Sequence, residues 1–373
     1  MFYRESGVFK TTYATDMALY PLPITKWAVA AIALLFIVIA PLTLGEYLIS
    51  ILNLILVASV GALGLNILVG YTGQVSIGHA AFMSVGAYTA ANLIVRLGAP
   101  FWIAVPAGGL MAALIGAIVG IPSLRTKGLY LAIATLAAQL IIEWTINHVS
   151  WISGGVQASI EVPRPSVFGT VLKTQTQLYF FLMFFLVLAI VAMQNIVRGR
   201  IGRAFVAIRD HDTAAEIIGI NIFRYKLLAF AISSFYAGVT GVLYTYYLGI
   251  ANYEQFQINV SIDYLAMIII GGLGSILGSV LGAAFVTLLP EVIQRIGETA
   301  GIADILSALR ELAFGLLVIV FLVFEPRGLN AFFSRLRPRQ RTIAEATEAH
   351  LTTAEHRLPG APAVGPSNEG GLQ

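Results

Sequence analysis

The chain has 373 residues, of which 58% are hydrophobic and 11% charged, where soluble domains carry about 25% charged residues. Its mean hydropathy is +0.85, and several apolar runs reach the ~20 residues that cross a bilayer, so the sequence reads as an all-α, polytopic membrane protein. It holds no cysteine, which excludes disulfides, thiolate metal sites, thiol nucleophiles and lipidation at cysteine, and its net charge of +3 gives no reason to expect a nucleic-acid partner.

Residues 1–26 form a polar arm with Arg4, Lys10 and Lys26, expected in the cytoplasm. The first apolar run, 27–44, is too long for the apolar core of a cleaved signal. A second span follows at 47–69, after a tight turn at Glu46. The Gly-rich polar stretch GYTGQVSIGHAAF opens at Gly70 and leads into a third span at 77–95. Span four is expected at 101–121, a basic turn with Arg125 and Lys127 follows, and span five lies at 129–148. Residues 149–176, with Gly154, Gly155, Pro163 and Pro165, read as a long outside connection, and span six as 177–197.

Between spans six and seven lies a polar island, Arg198 to Lys226, with six basic and three acidic side chains. Centring one Arg or Asp in hydrocarbon costs roughly 3 kcal/mol even on the lenient insertion scale, so the island lies outside the bilayer, and its basic excess places it in the cytoplasm. The island reads either as a solvated loop whose charges only fix topology or as two short helices, 202–209 and 213–219, presenting a knob to the cytoplasm. Asp212 or Thr213 reads as N-cap of the second, with Glu216 in its first turn and Gly219 at its stop.

Span seven is expected at 227–250. The apolar segment 262–290 is interrupted by GGLGSILG from Gly271, so it reads as two short spans or a re-entrant pair. Residues 291–307 are amphipathic, and the last span is 309–324. With the arm, the Arg125/Lys127 turn, the island and the tail arginines all inside, the chain makes about ten crossings, N-in and C-in. The organisation is then arm 1–26, permease domain 27–330 with its polar loop 198–226, and a tail, 331–373, expected to be disordered.

Small residues recur at four-residue spacing along Ala229, Ser233, Ala237, Gly241 and Thr245, and again along Gly274, Gly278 and Gly282; such stripes let helices approach closely in lipid. A polar stripe, Ser76, Ser84, Tyr88 and Asn92, with Gln74 and His79 at its mouth, reads either as hydrogen-bonding between helices or as the lining of a substrate path. No catalytic or metal-ligating constellation is present in the sequence. Acidic residues fall at span ends, which argues against an ion-coupled carrier. No phosphate-binding loop occurs, so the chain is not itself a nucleotide-driven engine. A membrane bundle without its own energy source, carrying a protruding helical knob, suggests a permease driven by a docked ATPase.

Four blocks carry a family pattern: GLNILVGYTGQVSIGHAAFMSVGAY (64–88), KLLAFAISSFYAGVTGVL (226–243) after the island, IIGGLGSILGSVLGA (269–283) and FEPRGL (324–329). Together they resemble the LivM-type permeases of branched-chain amino-acid ABC importers. The resemblance implies a bacterial inner-membrane, multi-pass subunit that pairs with a LivH-type second permease. It further implies two cytoplasmic ATPase subunits, which would bind ATP and magnesium so that this chain needs no cofactor, and a periplasmic substrate-binding protein. The coupling motif EAAxxxG of such importers falls on Thr213 to Gly219, with Thr in place of Glu. On the importer reading, Arg209, Asp210, Ala214, Ala215, Glu216 and Gly219 are expected to contact the ATPase, and Gln74, Ser76, His79 and Tyr88 to line the path. The outside loop reads SGGVQAS (153–159), where the family carries T/S-G-G-x-x-G-L. That departure keeps other amino acids, amides or urea open as solutes.

Overall fold

The computed structural model describes residues 41, 44–123, 128–155, 158–167, 170–300, 315, 316, 319, 328 and 329. The arm 1–26, nearly all of the first and last apolar runs, the Arg125/Lys127 turn and the tail lie outside these. Among the described residues seven helices are long and apolar enough to cross a membrane.

Helix α1 spans Glu46–Asn66 and ends in a π-helical turn, Ile67–Tyr71. Helix α2 spans His79–Leu97, α3 Phe101–Ser123, α4 Leu129–His148 and the single turn α5 Ser150–Ser153. After three short strands, β1 (Ser159–Glu161), β2 (Ser166–Val167) and β3 (Thr170–Val171), comes α6, Gln175–Arg198. Helices α7 (Arg200–Asp210) and α8 (Asp212–Ile217) precede the long α9, Ile222–Leu248. Strand β4 (Ile250–Asn252) and a 3-10 turn (Tyr253–Phe256) lead to α10, Ile258–Gly271, and α11, Ile276–Ala300. The strands qualify the all-α expectation only slightly: β1 pairs antiparallel with β4, and β2 with β3.

The bundle has two ends. At one, Asn53 Nδ2 donates to the Gln175 carbonyl at 3.2 Å, Tyr47 donates to Glu291 at 2.6 Å, and Tyr247 donates to the Ser50 carbonyl at 3.2 Å. The other end gathers Tyr71, α7, α8 and the turn between α10 and α11. The chain runs from the first end to the second between β4 and Gly271, and α11 runs back. Helix α10 has 14 residues, roughly 21 Å of α-helix, and is not among the seven helices long and apolar enough to cross, whereas α11 is.

Helices α1 and α9 form the centre, with 72% and 67% of their apolar windows buried, whereas α6 buries 22% of its own and turns Phe184, Leu188 and Val191 outward. The centre packs through small residues. Along α9, Ala229, Ser233 and Ala237 are buried, and a β-carbon on Gly241 would collide with the Met83 carbonyl of α2. A second ladder, absent from the sequence reading, runs along α3. Gly108 faces Val242, Ala112 faces Gly238, Gly116 faces Ser234 and Gly120 faces Leu227 and Phe230. At the meeting of three helices, Gly86 of α2 lies against the Gly238 backbone and Gly108 against the Gly86 carbonyl. In α11, Gly278 and Gly282 press on the Gly271 and Met267 carbonyls, while Gly274 belongs to the turn, not to the helical stripe.

Gly86→Leu is expected to destabilise the bundle by about 1–3 kcal/mol or more, because the added atoms meet backbone that cannot move aside. Gly45→Ala, with nothing within 4 Å of its β-carbon, is expected to be neutral. Thermal unfolding of the two purified variants in detergent checks the contrast.

Candidate functional site

Two interruptions in the membrane-spanning helices meet the α7–α8 pair at the same end of the bundle. The first lies between Tyr71 and His79. The sequence reading began the third span at 77 and put Ser76 on its polar stripe; in the structure Ser76 sits in a non-helical segment and the helix begins at His79. The cause is local: Gly73 takes φ +69° and turns the chain back, and the glycine at 78 is a non-helical N-cap.

A helix that begins within the bundle leaves orphan N–H groups. Gly78, as N-cap, offers no side chain to meet them, and other helices do so. Ser261 Oγ of α10 accepts from the Ala80 N–H at 2.9 Å, and Gln139 Oε1 of α4 accepts from the Ala81 N–H at 2.7 Å. Gln139 Nε2 donates in turn to the Phe256 carbonyl at 2.8 Å, and Thr135 Oγ1 accepts from the Ile77 N–H at 3.0 Å. All three residues are fully buried. The sequence reading missed them, though a lone Gln in the middle of an apolar span was the available signal.

The second interruption is the turn between α10 and α11, where Gly272 and Gly274 take φ +113° and +75°. Asn66, at the last α-helical position of α1, holds it. Its Oδ1 accepts from the Gly274 N–H at 2.9 Å, and its Nδ2 donates to the Ser275 carbonyl at 2.9 Å and to Ser279 Oγ at 2.7 Å. Gly70 has no side chain because Asn66 Oδ1 and the Gly274 N–H occupy the space where a β-carbon would stand.

The α7–α8 pair closes this end. Phe205 and Ile208 of α7 are buried, Phe205 edge-on to Tyr225 at 6.5 Å between ring centroids. The expected N-cap role of Asp212 or Thr213 is not what the structure has. His211 is the N-cap, without a side-chain cap bond, and Asp212 instead pairs with Lys226 at 2.8 Å. Gly219 does end this region, at φ +89°. The Gly219 N–H reaches the Glu216 carbonyl at 2.9 Å and the Ile220 N–H reaches the Ala215 carbonyl at 3.0 Å. Ala214, Glu216 and Asp210 are exposed; Ala215 is buried and faces the bundle. Two apolar residues stand out at the tip, Ile217 at 86% and Ile218 at 73% exposure.

A polar cleft of about 270 Å³ lies between the pair and the first interruption, bordered by Thr72, Gln74, Arg209, His211 and Lys226. Gln74 Nε2 reaches Thr72 Oγ1 at 3.0 Å and the Lys226 carbonyl at 3.4 Å, leaving its buried Oε1 without a partner. His79 is likewise buried with Nε2 unpartnered, its ring 5.1 Å from that of Tyr264. Tyr88 is remote from both, donating to the Ala158 carbonyl at the opposite end. Of the four path candidates, Gln74, Ser76 and His79 thus share the first interruption and Tyr88 does not.

Comparison with known proteins places these features in context. The profile of one family, described as "Branched-chain amino acid transport system / permease component", matches residues 47–323. The chain is 29% identical over 322 residues to the high-affinity branched-chain amino acid transport system permease protein LivM of Escherichia coli K12, covering 80% of this chain and 73% of that protein. It is 26% identical over 294 residues to the permease protein LivH of Salmonella typhimurium, covering 72% and 89%. It is 24% identical over 251 residues to the probable branched-chain amino acid transport permease protein LivM of Methanocaldococcus jannaschii, covering 64% and 70%. No solved structure matches the chain.

Gln139→Leu is expected to lower stability by about 1–3 kcal/mol for each buried group it strands, namely the Ala81 N–H and the Phe256 carbonyl. Thr145→Val, which removes only an exposed bond within its own helix, is expected to be nearly neutral. Thermal melts of both variants in the same detergent make the comparison.

Proposed function

The chain belongs to the family of branched-chain amino acid transport permease components, and from that premise we propose how the importer is built around it. It is a multi-pass membrane protein and a LivM-type permease subunit of an ATP-binding-cassette importer. In our reading it lies in a bacterial inner membrane with ten crossings, N-in and C-in, counting 27–44 and 309–324 as the outer two. A LivH-type permease pairs with it, two cytoplasmic ATPase subunits bind the ATP and magnesium, and a periplasmic binding protein delivers a branched-chain or related amino acid.

The observation that carries this reading is the α7–α8 pair. It projects from a strongly basic stretch, which the positive-inside rule puts in the cytoplasm. Its tip exposes Ile217 and Ile218 beside Glu216 and Ala214. An apolar tip on a charged loop suits insertion into a groove on a soluble partner. Movement of the pair on ATP binding and hydrolysis would then shift the bundle between two access states. Gln74, Ser76 and His79 are our path candidates, and the unpartnered atoms of Gln74 and His79 support that role. A second reading keeps the same machine for an amide or urea, on the strength of the altered loop at 153–159.

Purification of the native complex is expected to yield the second permease and two ATPases. Ligand screening of the associated binding protein with amino acids, amides and urea decides the solute. Recovery of this chain alone, transporting in liposomes without ATP, would instead identify an ion-coupled carrier. Joint substitution of Ile217→Asp and Ile218→Asp is expected to leave the permease folded and remove at least 90% of the bound ATPase, taking about 1.4 kcal/mol per tenfold loss in affinity, read by co-purification.

A further inference from the structure

Resting on that importer reading, we propose that Arg209 is a positioning residue that carries movement of the α7–α8 pair into both helix interruptions, rather than a contact with the ATPase. Its side chain points the opposite way from the exposed tip. Nη1 donates to the Gly70 carbonyl at 3.1 Å, and Nε and Nη2 hold Asp210 Oδ1 at 3.1 and 3.0 Å. The neighbouring carboxylate thus fixes the guanidinium fork while its remaining arm reaches α1. Gly70 lies in the π-helical turn that closes α1, where the helix presents the negative end of its dipole and a cationic donor is favoured.

The space around the guanidinium ties it to the two interruptions together. A β-carbon at Gly73 would meet Arg209 Cγ at 3.2 Å, and one at Gly274 would meet Nη1 at 3.2 Å. Asn66 lies one turn back from Gly70 on the same helix, its Oδ1 filling the place of a Gly70 β-carbon, and its side chain hydrogen-bonds to Gly274, Ser275 and Ser279. The pair has a second anchor, the Lys226–Asp212 ion pair, and the Lys226 carbonyl is the one Gln74 approaches. Displacing α7 therefore pulls on the end of α1 and, through Asn66, on the α10–α11 turn. Both interruptions are glycine-hinged, with positive φ at Gly73, Gly272 and Gly274, so they can change shape without unwinding regular helix. Coupling needs an element with two arrangements that both sites bias, and we assign that role to these interruptions.

The test uses the assembled complex of both permeases and both ATPases, with labelled leucine as the transported probe. Arg209→Gln is expected to keep the ATPases bound while transport per ATP hydrolysed falls at least about fivefold, the low end of ordinary coupling between sites. Arg209→Lys, which can still donate to Gly70, is expected to recover part of that loss. The chain has no cysteine, so Val75→Cys, at a position 39% exposed in the first interruption, gives a direct readout. Its alkylation rate is expected to change with ATP when Arg209 is present and to stay constant with Arg209→Gln. Loss of the ATPases from the Arg209→Gln complex would make the residue a docking contact and overturn the proposal. An unchanged transport-to-hydrolysis ratio, or ATP-dependent labelling that survives the substitution, would overturn it equally. If Arg209→Gln does not fold, Arg209→Met, which keeps the aliphatic stem and removes every donor, carries the same labelling test. Failure of the importer reading looks different: no ATPase would co-purify with the unsubstituted chain, or the unsubstituted complex would show no ATP response.

Discussion

Every backbone N–H and C=O at membrane depth must find a partner within the protein, because the hydrocarbon offers none and each unmet group costs several kcal/mol. Regular helices satisfy this by themselves. Among the described residues the helices are interrupted twice near one end, and the architecture around them follows from how those interruptions are satisfied. Gln139, Ser261 and Thr135 reach across from α4 and α10 to the start of α2, and Asn66 reaches from α1 to the start of α11. Each is a polar side chain on one helix completing the backbone of another. The interruptions cannot be moved or filled without disturbing helices distant in sequence.

Such reach is possible only if the helices lie close, and the small-residue ladders provide that closeness. The Gly86, Gly108 and Gly238 backbones meet with no room for a β-carbon, and Gly241 seats on the Met83 carbonyl. Without a hydrophobic force between helices in lipid, packing of this kind and hydrogen bonds between helices carry most of the association. The same closeness brings α1 against both α9 and α11. The end of α1 thereby touches both the α7–α8 pair and the α10–α11 turn.

The sequence was informative where a signal is periodic or expensive to violate. Apolar runs fixed the helices to within a few residues, the charged island located α7 and α8, and four-residue spacing identified the α9 stripe. It was silent where meaning depends on contact at long range. Asn66 and Gln139 each stand as one polar letter in an apolar run, and nothing local says which backbone they complete. Gly274 fitted a four-residue series with Gly278 and Gly282, yet serves a turn, since spacing cannot distinguish a packing glycine from one chosen for positive φ. Asp212 had the composition of an N-cap, but an ion pair with Lys226, fourteen residues on, draws its side chain away. Ser76 matched a helical stripe that the Gly73 turn brings to an end.

The two interruptions are not equally well satisfied, and the difference bears on which is easier to remodel. Around the α10–α11 turn Asn66 uses its acceptor and both directions of its amide donor, and Ser275 Oγ accepts from the Gly278 N–H at 3.0 Å. Around the first interruption Gln74 Oε1 and His79 Nε2 are buried without a partner. Leaving a buried polar group unmet costs on the order of 1–3 kcal/mol, so this state carries a penalty that a rearrangement giving those atoms partners relieves. The second interruption has no such reserve, and any change there must first give up hydrogen bonds already made. The first is therefore the softer of the two. It is also the one whose flanking carbonyl, at Gly70, receives the guanidinium of Arg209, so the linkage from the basic helix pair ends where the bundle yields most readily.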